Sequence, residues 1–422
     1  MNVAFMRFVD YWIGVPLAVV ATGFVRLWDQ FRAPLSLTER QRVLFIELTE
    51  MGSAILADPA MKKTAAHHDI YFVIFKRNVA SLGLLSTVPA GQTFTIREDS
   101  LWTFTLDTLR FLWWCRQKRI NVAIDLELFS RFTAVLCGLS GARLRIGFCM
   151  PRSEGLFRGG LMTHPVAYNA RIHIARNFIA LTEPLLNHGT YHDPLIRRVI
   201  EDHEIQLTTV QPSAESQQQV RVSLARKHPV VNEGYRLILV NVNAGDFLPQ
   251  RKWPPDHFRR FIVSVLEQHP DVLILMTGSP GERSAVENVS GAVHSPRCVN
   301  IAGDVAFEEL PALYALSGML LTNDSGPAHF ASAVGLRTYT LFGPETPELY
   351  GPLGNPPGNN VAIYAGLACS PCVHVANHRN TPCDDNQCLK QISPEHVYEV
   401  VRQDLTSSEP SSQASRPEPP PQ

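Results

Sequence analysis

The sequence predicts an α/β protein with two consecutive halves, each built on a parallel β-sheet. Short apolar runs suited to buried strands alternate with stretches of helical periodicity, which is the order of βαβ units. The same order starts again after residue 234, so the pattern occurs twice. With 422 residues, 45% of them hydrophobic and 18% charged, the chain is long enough for at least two globular domains. This composition excludes a disordered chain, a collagen and a polytopic membrane protein.

The charges nearly cancel and the cysteines are few. Lys plus Arg number 38 against 39 Asp plus Glu, a formal net charge of -1, so bulk charge does not favour nucleic acid as a partner. Eight cysteines are too sparse for a disulfide scaffold. Four of them occur singly in apolar or strand-like surroundings and are predicted to be small core residues: Cys115, Cys137, Cys149 and Cys298.

Residues 1–34 form an apolar N-terminal segment. The run Tyr11–Val25 carries no charge, but it is shorter than the ~20 residues that span a bilayer, and a secretory signal fits poorly. Trp12 and Trp28 flank the run, with arginines beyond, which is typical of a helix that lies in the membrane interface. We therefore expect a membrane anchor, with a helix docked on the protein's own core and a true span as alternatives.

The organisation of the remaining chain follows from its apolar runs. The N-terminal domain is expected over residues 40–206, a polar linker over 207–234 and the C-terminal domain over 235–405. Residues 406–422 are rich in Ser and Pro and are expected to be disordered. The predicted strands are 42–48, 70–75, 119–127 and 144–148 in the first half, and 236–245, 272–278, 319–323 and 338–343 in the second.

The most informative segment is 320–344, LLTNDSGPAHFASAVGLRTYTLFGP. A strand ends at Asn323, a tight turn follows, and a helix begins near Pro327, where the preset φ of proline suits the first turn. Backbone N–H groups then lie at the carboxyl edge of a parallel sheet, where α/β proteins hold phosphate groups, although an ordinary capped helix is the alternative. The segment contains neither G-x-G-x-x-G nor a Walker motif. The candidate phosphate-binding residues are Asp324, Ser325, Gly326 and His329.

Two other segments repeat this pattern of strand, glycine turn and helix. In 241–258, Arg251 and Lys252 precede a helix and would offset the charge of a diphosphate; a solvated basic pair is the alternative. In 276–289, Glu282 stands at a helix start. There it would accept hydrogen bonds from ribose hydroxyls, or simply complement the helix dipole.

Four cysteines near the C-terminus have the spacing of a zinc site, because tetrahedral thiolate ligands commonly come in close pairs. They are Cys369, Cys372, Cys383 and Cys388, with His374 and His378 as alternative ligands. A structural zinc, a disulfide and unbridged thiols are all compatible with this spacing. None of the three points to catalysis.

These segments, taken in this order, resemble glycosyltransferase family 9, the lipopolysaccharide heptosyltransferases. The resemblance extends from about Arg42 to Val400 and is most specific in TNDSGPAH followed by LFGPETPELYGP. RKWPPDHF, the cysteine segment and DLELFSRFTAVLCGLSGARLRIGF agree with it. The resemblance implies the GT-B arrangement of two facing Rossmann-like domains with parallel sheets, the C-terminal one binding the nucleotide sugar and the N-terminal one the acceptor. It also implies roles by position: Asp324, Ser325, Gly326 and His329 would contact the diphosphate, Arg251 or Lys252 would add positive charge, and Glu282 would hold the ribose.

The resemblance also implies a function. A heptose or related sugar would pass from a nucleotide-sugar donor of the ADP-heptose type to a lipopolysaccharide core or similar glycolipid, with inversion and without a metal cofactor. The enzyme would be cytoplasmic and peripheral on the inner membrane, in keeping with the apolar N-terminal segment. Two alternatives are a catalytically degenerate nucleotide-sugar-binding protein of the same fold and another GT-B enzyme such as a nucleotide-sugar epimerase.

The general base is expected in the loop after the first strand, LTEMGSAILADPAM. Members of the family usually carry Gly-Asp there, with the Asp as the proposed base, whereas Ser53 occupies the matching position in this chain. An isolated serine is not a base near neutral pH. Glu50 lies three residues earlier and is the expected replacement, with Glu47 and Asp58 as further candidates. Either Glu50 has taken the role or the protein is slow or inactive.

Overall fold

The computed structural model describes residues 10–33, 35–150, 157–187, 193–245, 248–354, 358–377 and 379–406. Contacts within the chain divide it into two compact units. The first unit is Met1–Thr208 together with two later segments, Glu345–Leu353 and Pro371–Pro382. The second unit is Thr209–Pro344, Gly354–Ser370 and the chain from Cys383 onward.

The first unit is built on a parallel sheet. Its strands are β1 (Arg42–Ile46), β2 (Asp69–Phe75), β3 (Thr93–Ile96), β4 (Val122–Asp125), β5 (Leu144–Cys149) and β6 (His164–Ala167). Their order is β3-β2-β1-β4-β5-β6, and the register pairs Val43 of β1 with Ile70 on one side and Val122 on the other. The central strands are buried apart from the first residue of β1, as expected for a parallel sheet covered on both faces.

Seven α-helices accompany this sheet, and some of them have capped N-termini. The seven are α1 (Gly14–Asp29), α2 (Met51–Leu56), α3 (Asp58–Ala65), α4 (Ala80–Leu85), α5 (Leu101–Gln117), α6 (Arg131–Leu139) and α7 (Ile174–Leu186) among the described residues. Ser100 and Thr103 form a capping box at the start of α5, and the Ser130 hydroxyl caps α6. These caps fix where each crossover helix leaves the carboxyl edge of the sheet.

The second unit repeats this plan. Its strands are β7 (Arg236–Asn241), β8 (Val272–Thr277), β9 (Cys298–Asn300), β10 (Met319–Asn323), β11 (Arg337–Phe342) and β12 (Asn360–Tyr364), in the order β12-β11-β10-β7-β8-β9. Its helices are α8 (Ala214–Lys227), α9 (Pro255–Gln268), α10 (Arg283–Val293), α11 (Leu310–Ala315), α12 (Gly326–Val334), α14 (Gln387–Lys390) and α15 (Pro394–Thr406), whereas α13 (Pro347–Tyr350) belongs to the first unit. Trp253, Phe258 and Phe261 are buried in its core.

Each sheet changes winding direction at its centre. In the first unit the change lies between β1 and β4, and in the second between β7 and β10. Loops after these strands diverge at the carboxyl edge and leave a crevice, which is where open α/β sheets bind ligands. Each unit therefore has one position that the topology selects for a functional site.

The predicted α/β class with parallel sheets is confirmed, and each predicted strand coincides with an observed one. Residues 207–234, expected as a polar linker, contain the helix α8, which is capped by Ser213 and buries Val220 and Leu224. The expected disordered tail begins at Thr406, the last residue of α15, and residues 407–422 lie outside the described residues, as does His378.

The N-terminal apolar segment contains a helix packed on the first unit. Its helical residues run from Asp10 to Asp29, long and apolar enough to cross a membrane by length and composition. Four residues of α1, namely Gly14, Ala18, Ala21 and Val25, are buried, and the last three cluster with α6. The docked-helix alternative therefore holds for this face of α1. The expected membrane anchor stays a prediction, and residues 1–9 and Pro34 lie outside the described residues.

Candidate functional site

In the second unit, the loops after β7 and β10 are joined at the centre of the sheet. Asn323, the last residue of β10, donates from Nδ2 to the Val242 carbonyl at 3.0 Å, and its Oδ1 accepts the Trp253 backbone N–H at 2.9 Å. Trp253 is buried and donates from Nε1 to the Ile392 carbonyl at 2.9 Å. These bonds fix both loops at the edge where a ligand is expected.

The turn between β10 and α12 brings together the four residues predicted to contact a diphosphate. Ser325 is the N-cap residue of α12, but within the described chain its hydroxyl caps no N–H of the helix and donates instead to the Asn323 carbonyl at 3.2 Å. A Cβ at Gly326 would come within 3.0 Å of a neighbouring aromatic ring. Asp324 and His329 are buried, His329 on the first turn of the helix. The helix start therefore has the character of an anion site.

The side chain of Arg251 lies close to Asp324 in this turn, and Lys252 is the next residue after Arg251. The Arg251 Nη1 atom lies 3.9 Å from Oδ2 of Asp324, and its Nη2 donates to the Ala244 carbonyl at 3.4 Å. An ionised carboxylate only accepts hydrogen bonds, so the Asp324 side chain is suited to holding Arg251 rather than to bonding a phosphate itself. Lys252 is half-buried, and its carbonyl accepts a hydrogen bond from Asn386.

Glu282 has a structural role in this unit. Its Oε2 atom accepts hydrogen bonds from the backbone N–H of Ser279 at 2.7 Å and from the Ser279 hydroxyl at 2.8 Å. This is a capping box at the start of the helical segment that leads into α10. The capping role thus occupies the Oε2 atom of Glu282, in line with the alternative that this residue only stabilises the helix start. Ribose binding by Glu282 stays a prediction.

Asn243, in the loop after β7, is a candidate that the sequence analysis missed. It is buried, and its Nδ2 atom has no hydrogen-bond partner among the residues that the structure describes. Gly278, after β8, comes so close that a Cβ there would lie 3.2 Å from this atom. An unsatisfied buried donor costs free energy, so Asn243 is a candidate contact for a ligand at this edge. The signal was the run NVNAG, which places amides between a strand and a glycine turn.

In the first unit, the loop after β1 carries both predicted catalytic residues. Glu50 is the N-cap residue of α2, and Ser53 donates from Oγ to Oε2 of Glu50 at 3.1 Å. The Oε1 atom of Glu50 forms an ion pair with Arg379. Arg379 also binds the buried Glu345, whose Oε1 lies 2.7 Å from Nη2, and its guanidinium lies 5.5 Å from the ring centre of Tyr350. Glu50 is therefore held from two sides.

Arg379 is a candidate site residue that sequence reasoning missed. It lies in one of the late segments that belong to the first unit, and 329 positions separate it from Glu50. Burial alone would lower the pKa of its guanidinium, but the charges of Glu345 and Glu50 raise that pKa well above its ordinary value. Protonating Glu50 would weaken this ion pair, which bears directly on its use as a base.

Two buried carboxylates lie next to this loop. Glu127, after β4, accepts the N–H groups of Leu48 at 3.0 Å and Thr49 at 3.1 Å, so it joins the loops at the centre of the sheet. Glu47 accepts the N–H groups of Thr49 and Glu50, both at 3.3 Å. Burial raises the pKa of Glu127 to about 7, and burial with the nearby charges of Glu127 and Glu50 raises the pKa of Glu47 well above its usual range.

Asp58, a further candidate base, has a structural role. Asp58 is fully buried. It accepts a hydrogen bond from the Thr87 hydroxyl and another, at 2.8 Å, from the Thr208 backbone N–H. These bonds tie the start of α3 to two distant loops. A carboxylate so enclosed has no route to a substrate hydroxyl, and we do not retain it as a base.

Structural zinc was one of three alternatives for Cys369, Cys372, Cys383 and Cys388, and the described residues do not assemble its ligands. Among the described residues, no group of three or more His, Cys, Asp or Glu side chains is placed to hold a metal ion, and a structural zinc needs four such ligands. The Cys372 sulfur instead accepts a hydrogen bond from Thr381 at 3.3 Å, and the Cys383 thiol donates to the Asp385 carbonyl at 3.2 Å. The structure describes all eight cysteines of the chain and links none of them in a disulfide. Zinc binding by this segment stays a prediction.

Comparison with known proteins gives a family and a fold. The sequence profile of glycosyltransferase family 9 (heptosyltransferase) matches residues 124–381, more than half of the chain. The lipooligosaccharide heptosyltransferase 2 of Campylobacter jejuni is 24% identical over 181 residues, which cover 42% of this chain and 54% of that protein. The chain thus spans about half the length of the curated relatives it matches.

Two solved structures resemble this one over most of its length. The ADP-heptose lipopolysaccharide heptosyltransferase II of Escherichia coli has a TM-score of 0.64 at 18% identity, covering 86% of this chain and 98% of that one. A glycosyl transferase family 9 protein from Veillonella parvula has a TM-score of 0.65 at 19% identity, covering 88% and 98%. At these identities the likeness shows the fold alone, and it confirms the expected GT-B class.

Proposed function

Since this chain belongs to glycosyltransferase family 9, we propose that it transfers a heptose or related sugar from a donor of the ADP-heptose type to a lipopolysaccharide core or similar glycolipid. The observation that carries the proposal is the start of α12 in the second unit. A helix N-terminus without a side-chain cap lies there beside the Arg251 cation and the buried His329. A nucleoside diphosphate is the ligand that this charge and position suit best.

The second unit would stabilise the leaving group. As the bond between the anomeric carbon and the diphosphate oxygen breaks, negative charge develops on the diphosphate. The dipole of α12 and the charges of Arg251 and Lys252 would offset it, so this step needs no divalent metal. Transfer should therefore continue in EDTA, measured as release of nucleoside diphosphate. Loss of turnover in EDTA, with the fold intact by circular dichroism, would contradict this assignment.

The first unit would supply the base that takes the proton from the acceptor hydroxyl. We assign this role to Glu50, because 28% of its side chain is exposed, whereas Glu47 and Glu127 are only 3% and 8% exposed. A base must come within hydrogen-bond distance of the proton it removes. Attack by the deprotonated hydroxyl on the face opposite the diphosphate would invert the anomeric carbon.

The partners follow from this reaction. The donor is a nucleotide sugar and the acceptor is a glycolipid, so the two meet at a membrane surface. We place that surface on the cytoplasmic side of the inner membrane, where nucleotide sugars are available, with the protein peripheral to it.

A second candidate function is nucleotide-sugar binding without transfer. It is favoured by Ser53, which stands where the family usually carries the catalytic Asp, and by the ion pair that Arg379 makes with Glu50. A carboxylate paired with a cation loses that attraction when it accepts a proton, so the ion pair with Arg379 makes Glu50 a weaker base.

The two functions are separated by a panel of nucleotide sugars with the full chain. Calorimetry measures binding of ADP-, UDP- and GDP-linked sugars, and release of nucleoside diphosphate is measured with a lipopolysaccharide-core acceptor. Binding with acceptor-dependent release supports transfer. Binding without release supports the degenerate protein, and failure to bind any donor would contradict both.

A further inference from the structure

The first unit carries an apolar surface that the proposed reaction does not use. Large apolar side chains are exposed on two helices and the residues next to them, and we call this surface the α1–α5 face. Around α1 these are Tyr11, Trp12, Ile13, Leu17, Val19, Val20, Phe24, Leu27, Trp28 and Phe31; on α5 they are Leu101, Trp102, Leu109 and Trp113. Soluble proteins expose such side chains singly, whereas contiguous patches mark interaction surfaces.

α1 and α5 both lie alongside α6 and run in the same direction as it. Near the start of α6, Asp10 accepts the backbone N–H groups of Arg131 and Phe132, both at 3.0 Å. There the ring centre of Phe132 lies 4.8 Å from that of Phe104 in α5. Each helix also donates to a backbone carbonyl near the end of α6: Arg32, just after α1, to Gly141 at 2.7 Å and Arg116 of α5 to Leu139 at 3.0 Å.

The exposed sides of both helices point away from the sheet. α6 packs Ala134 and Val135 against α1 but Leu136 and Cys137 against the core of the sheet, so α1 covers α6 on its outer side. α5 places Phe111 and Cys115 in that core, and Trp102, Leu109 and Trp113 project from its opposite side, because they lie seven and four residues apart. A flat surface would therefore meet α1 first and the indoles of α5 next.

The chemistry of this face favours lipid over a second protein. Protein interfaces carry about one hydrogen bond per 100–200 Å², but the large apolar side chains exposed on α1 from Ile13 to Leu27 are hydrocarbon and offer none. Arg26, which is also exposed there, can hold its charged end among the headgroups while its stem lies along apolar surface. Indole and phenol groups stand at the two ends of the helix, as they do at membrane interfaces.

A cationic cluster lies at one end of the face. The cluster consists of Arg32, Arg116 and Arg143, and Arg143 donates to the Ala33 carbonyl at 3.1 Å. Burial and the charges of Arg143 and Arg116 lower the pKa of Arg32, although Asp29, 4.0 Å away, acts in the opposite direction. Such a cluster is complementary to anionic headgroups.

We propose that the α1–α5 face rests on a bilayer containing anionic lipid, with α1 in the plane of the membrane rather than across it. The contacts that α1 makes with the rest of the first unit support the in-plane orientation. Asp29 forms an ion pair with the buried Arg145 at 2.6 Å, and the Thr22 hydroxyl accepts the Gly160 N–H at 3.0 Å. A spanning helix would leave α6 and remove this carboxylate from a buried guanidinium. The proposal does not depend on the transfer reaction.

Flotation of the full chain with sealed vesicles tests the surface. We expect binding to vesicles of phosphatidylethanolamine and phosphatidylglycerol, weakened by salt, and weaker binding to phosphatidylcholine alone. The double variants Trp102→Ser/Trp113→Ser and Val20→Ser/Leu27→Ser should each lower partitioning about tenfold or more. The control Val199→Ser/Val222→Ser removes two exposed apolar side chains elsewhere and should stay within about twofold of the parent. Melting curves confirm that each variant is folded.

Labelling tests the orientation. Ile13→Cys and Gln30→Cys place thiols at opposite ends of α1, and a membrane-impermeant maleimide is added outside the sealed vesicles, with the modified peptides read by mass spectrometry. Labelling of both ends supports the in-plane helix. In a parallel sample the same maleimide is enclosed in the vesicle lumen, where an in-plane helix should be labelled at neither end; labelling of one end from the lumen overturns the in-plane helix. Unchanged flotation of the α5 variant removes α5 from the face. A dimer that forms through this face without vesicle binding overturns the lipid assignment.

Discussion

Arg379 links two carboxylates of the first unit. It holds Glu50 and the buried Glu345 at once, so its removal would leave two carboxylates without their shared cation. Glu50 could be found from the sequence because it lies in the loop that the family resemblance identifies. Arg379 could not, because 329 positions separate the two and no local pattern encodes so distant a contact.

Replacing Glu50 tests the proposed base. Glu50→Gln should lower turnover by about a hundredfold or more, because general base catalysis contributes roughly that much, while nucleotide affinity stays within about twofold. Ser53→Asp should leave turnover equal or higher. Initial rates of nucleoside diphosphate release and calorimetric affinities measure the two effects. Normal turnover of Glu50→Gln would exclude Glu50, and transfer seen only in Ser53→Asp would identify the natural protein as degenerate.

Glu127 makes the stability of the first unit depend on pH. Folding raises the pKa of Glu127 from 4.5 to about 7. The contribution of Glu127 to the free energy of unfolding is therefore fully present below about pH 4.5 and is lost as pH rises through 7. Glu127→Gln removes this dependence and still accepts the two backbone hydrogen bonds.

The free energy of unfolding of Glu127→Gln, relative to the parent, should therefore rise between about pH 4.5 and 7 and then level off. The full gain is on the order of 3 kcal/mol, from about 1.4 kcal/mol per pKa unit. Urea unfolding at several pH values measures it, with the exposed Glu308→Gln as control. A pH-independent difference would show that burial does not raise this pKa.

At the scale of elements, position in the sheet explains which strands the sequence predicts. Every strand missed was an edge strand: β3, β6, β9 and β12. Edge strands pair on one side only, and these four are mostly half-buried or exposed, so they lack the continuous apolar run of a central parallel strand. The central strands, which position both candidate sites, carried that run and were found.

The start of α12 should bind the diphosphate of the donor. Asp324→Ala with His329→Ala should weaken binding of ADP- or UDP-sugars about tenfold or more, which is about 1.4 kcal/mol, because Arg251 loses its holding carboxylate and the helix loses a donor. Calorimetry on the full chain measures the affinity. His294→Ala with Glu308→Ala changes exposed residues of the same unit and should have no effect. Unchanged affinity of a folded Asp324/His329 variant would remove this assignment.

At the scale of the molecule, the same strand order occurs in both units, and each puts its candidate site at the centre of its own sheet. That repetition was predictable, because the alternation of strands and helices restarts after residue 234. The assignment of Glu345–Leu353 and Pro371–Pro382 to the first unit was not, because these segments have no composition that distinguishes them from their neighbours.

Deletion of residues 1–33 should destabilise the first unit. It removes Asp10 and Asp29, the ion-pair partners of the buried Arg131 and Arg145, and breaking such a pair costs about 3–5 kcal/mol. Thermal melting should show an earlier transition, while nucleotide affinity stays within about twofold. Deletion of residues 1–9 is the control, since it leaves α1 in place. An unchanged melting curve after the longer deletion would show that α1 adds no stability.

The hydrogen bonds of Asp10 to the start of α6 fix where the apolar N-terminal helix begins, and this position bears on the rate at which the protein meets its acceptor. α6 starts shortly after Glu127, so the beginning of the apolar N-terminal helix lies on the same edge of the sheet as the proposed base. A protein held to a bilayer by that helix would meet a lipid-borne acceptor by diffusion in two dimensions. Its rate would then depend on the number of acceptors per unit area of membrane, and diluting the vesicles in buffer at constant surface density would leave that rate unchanged.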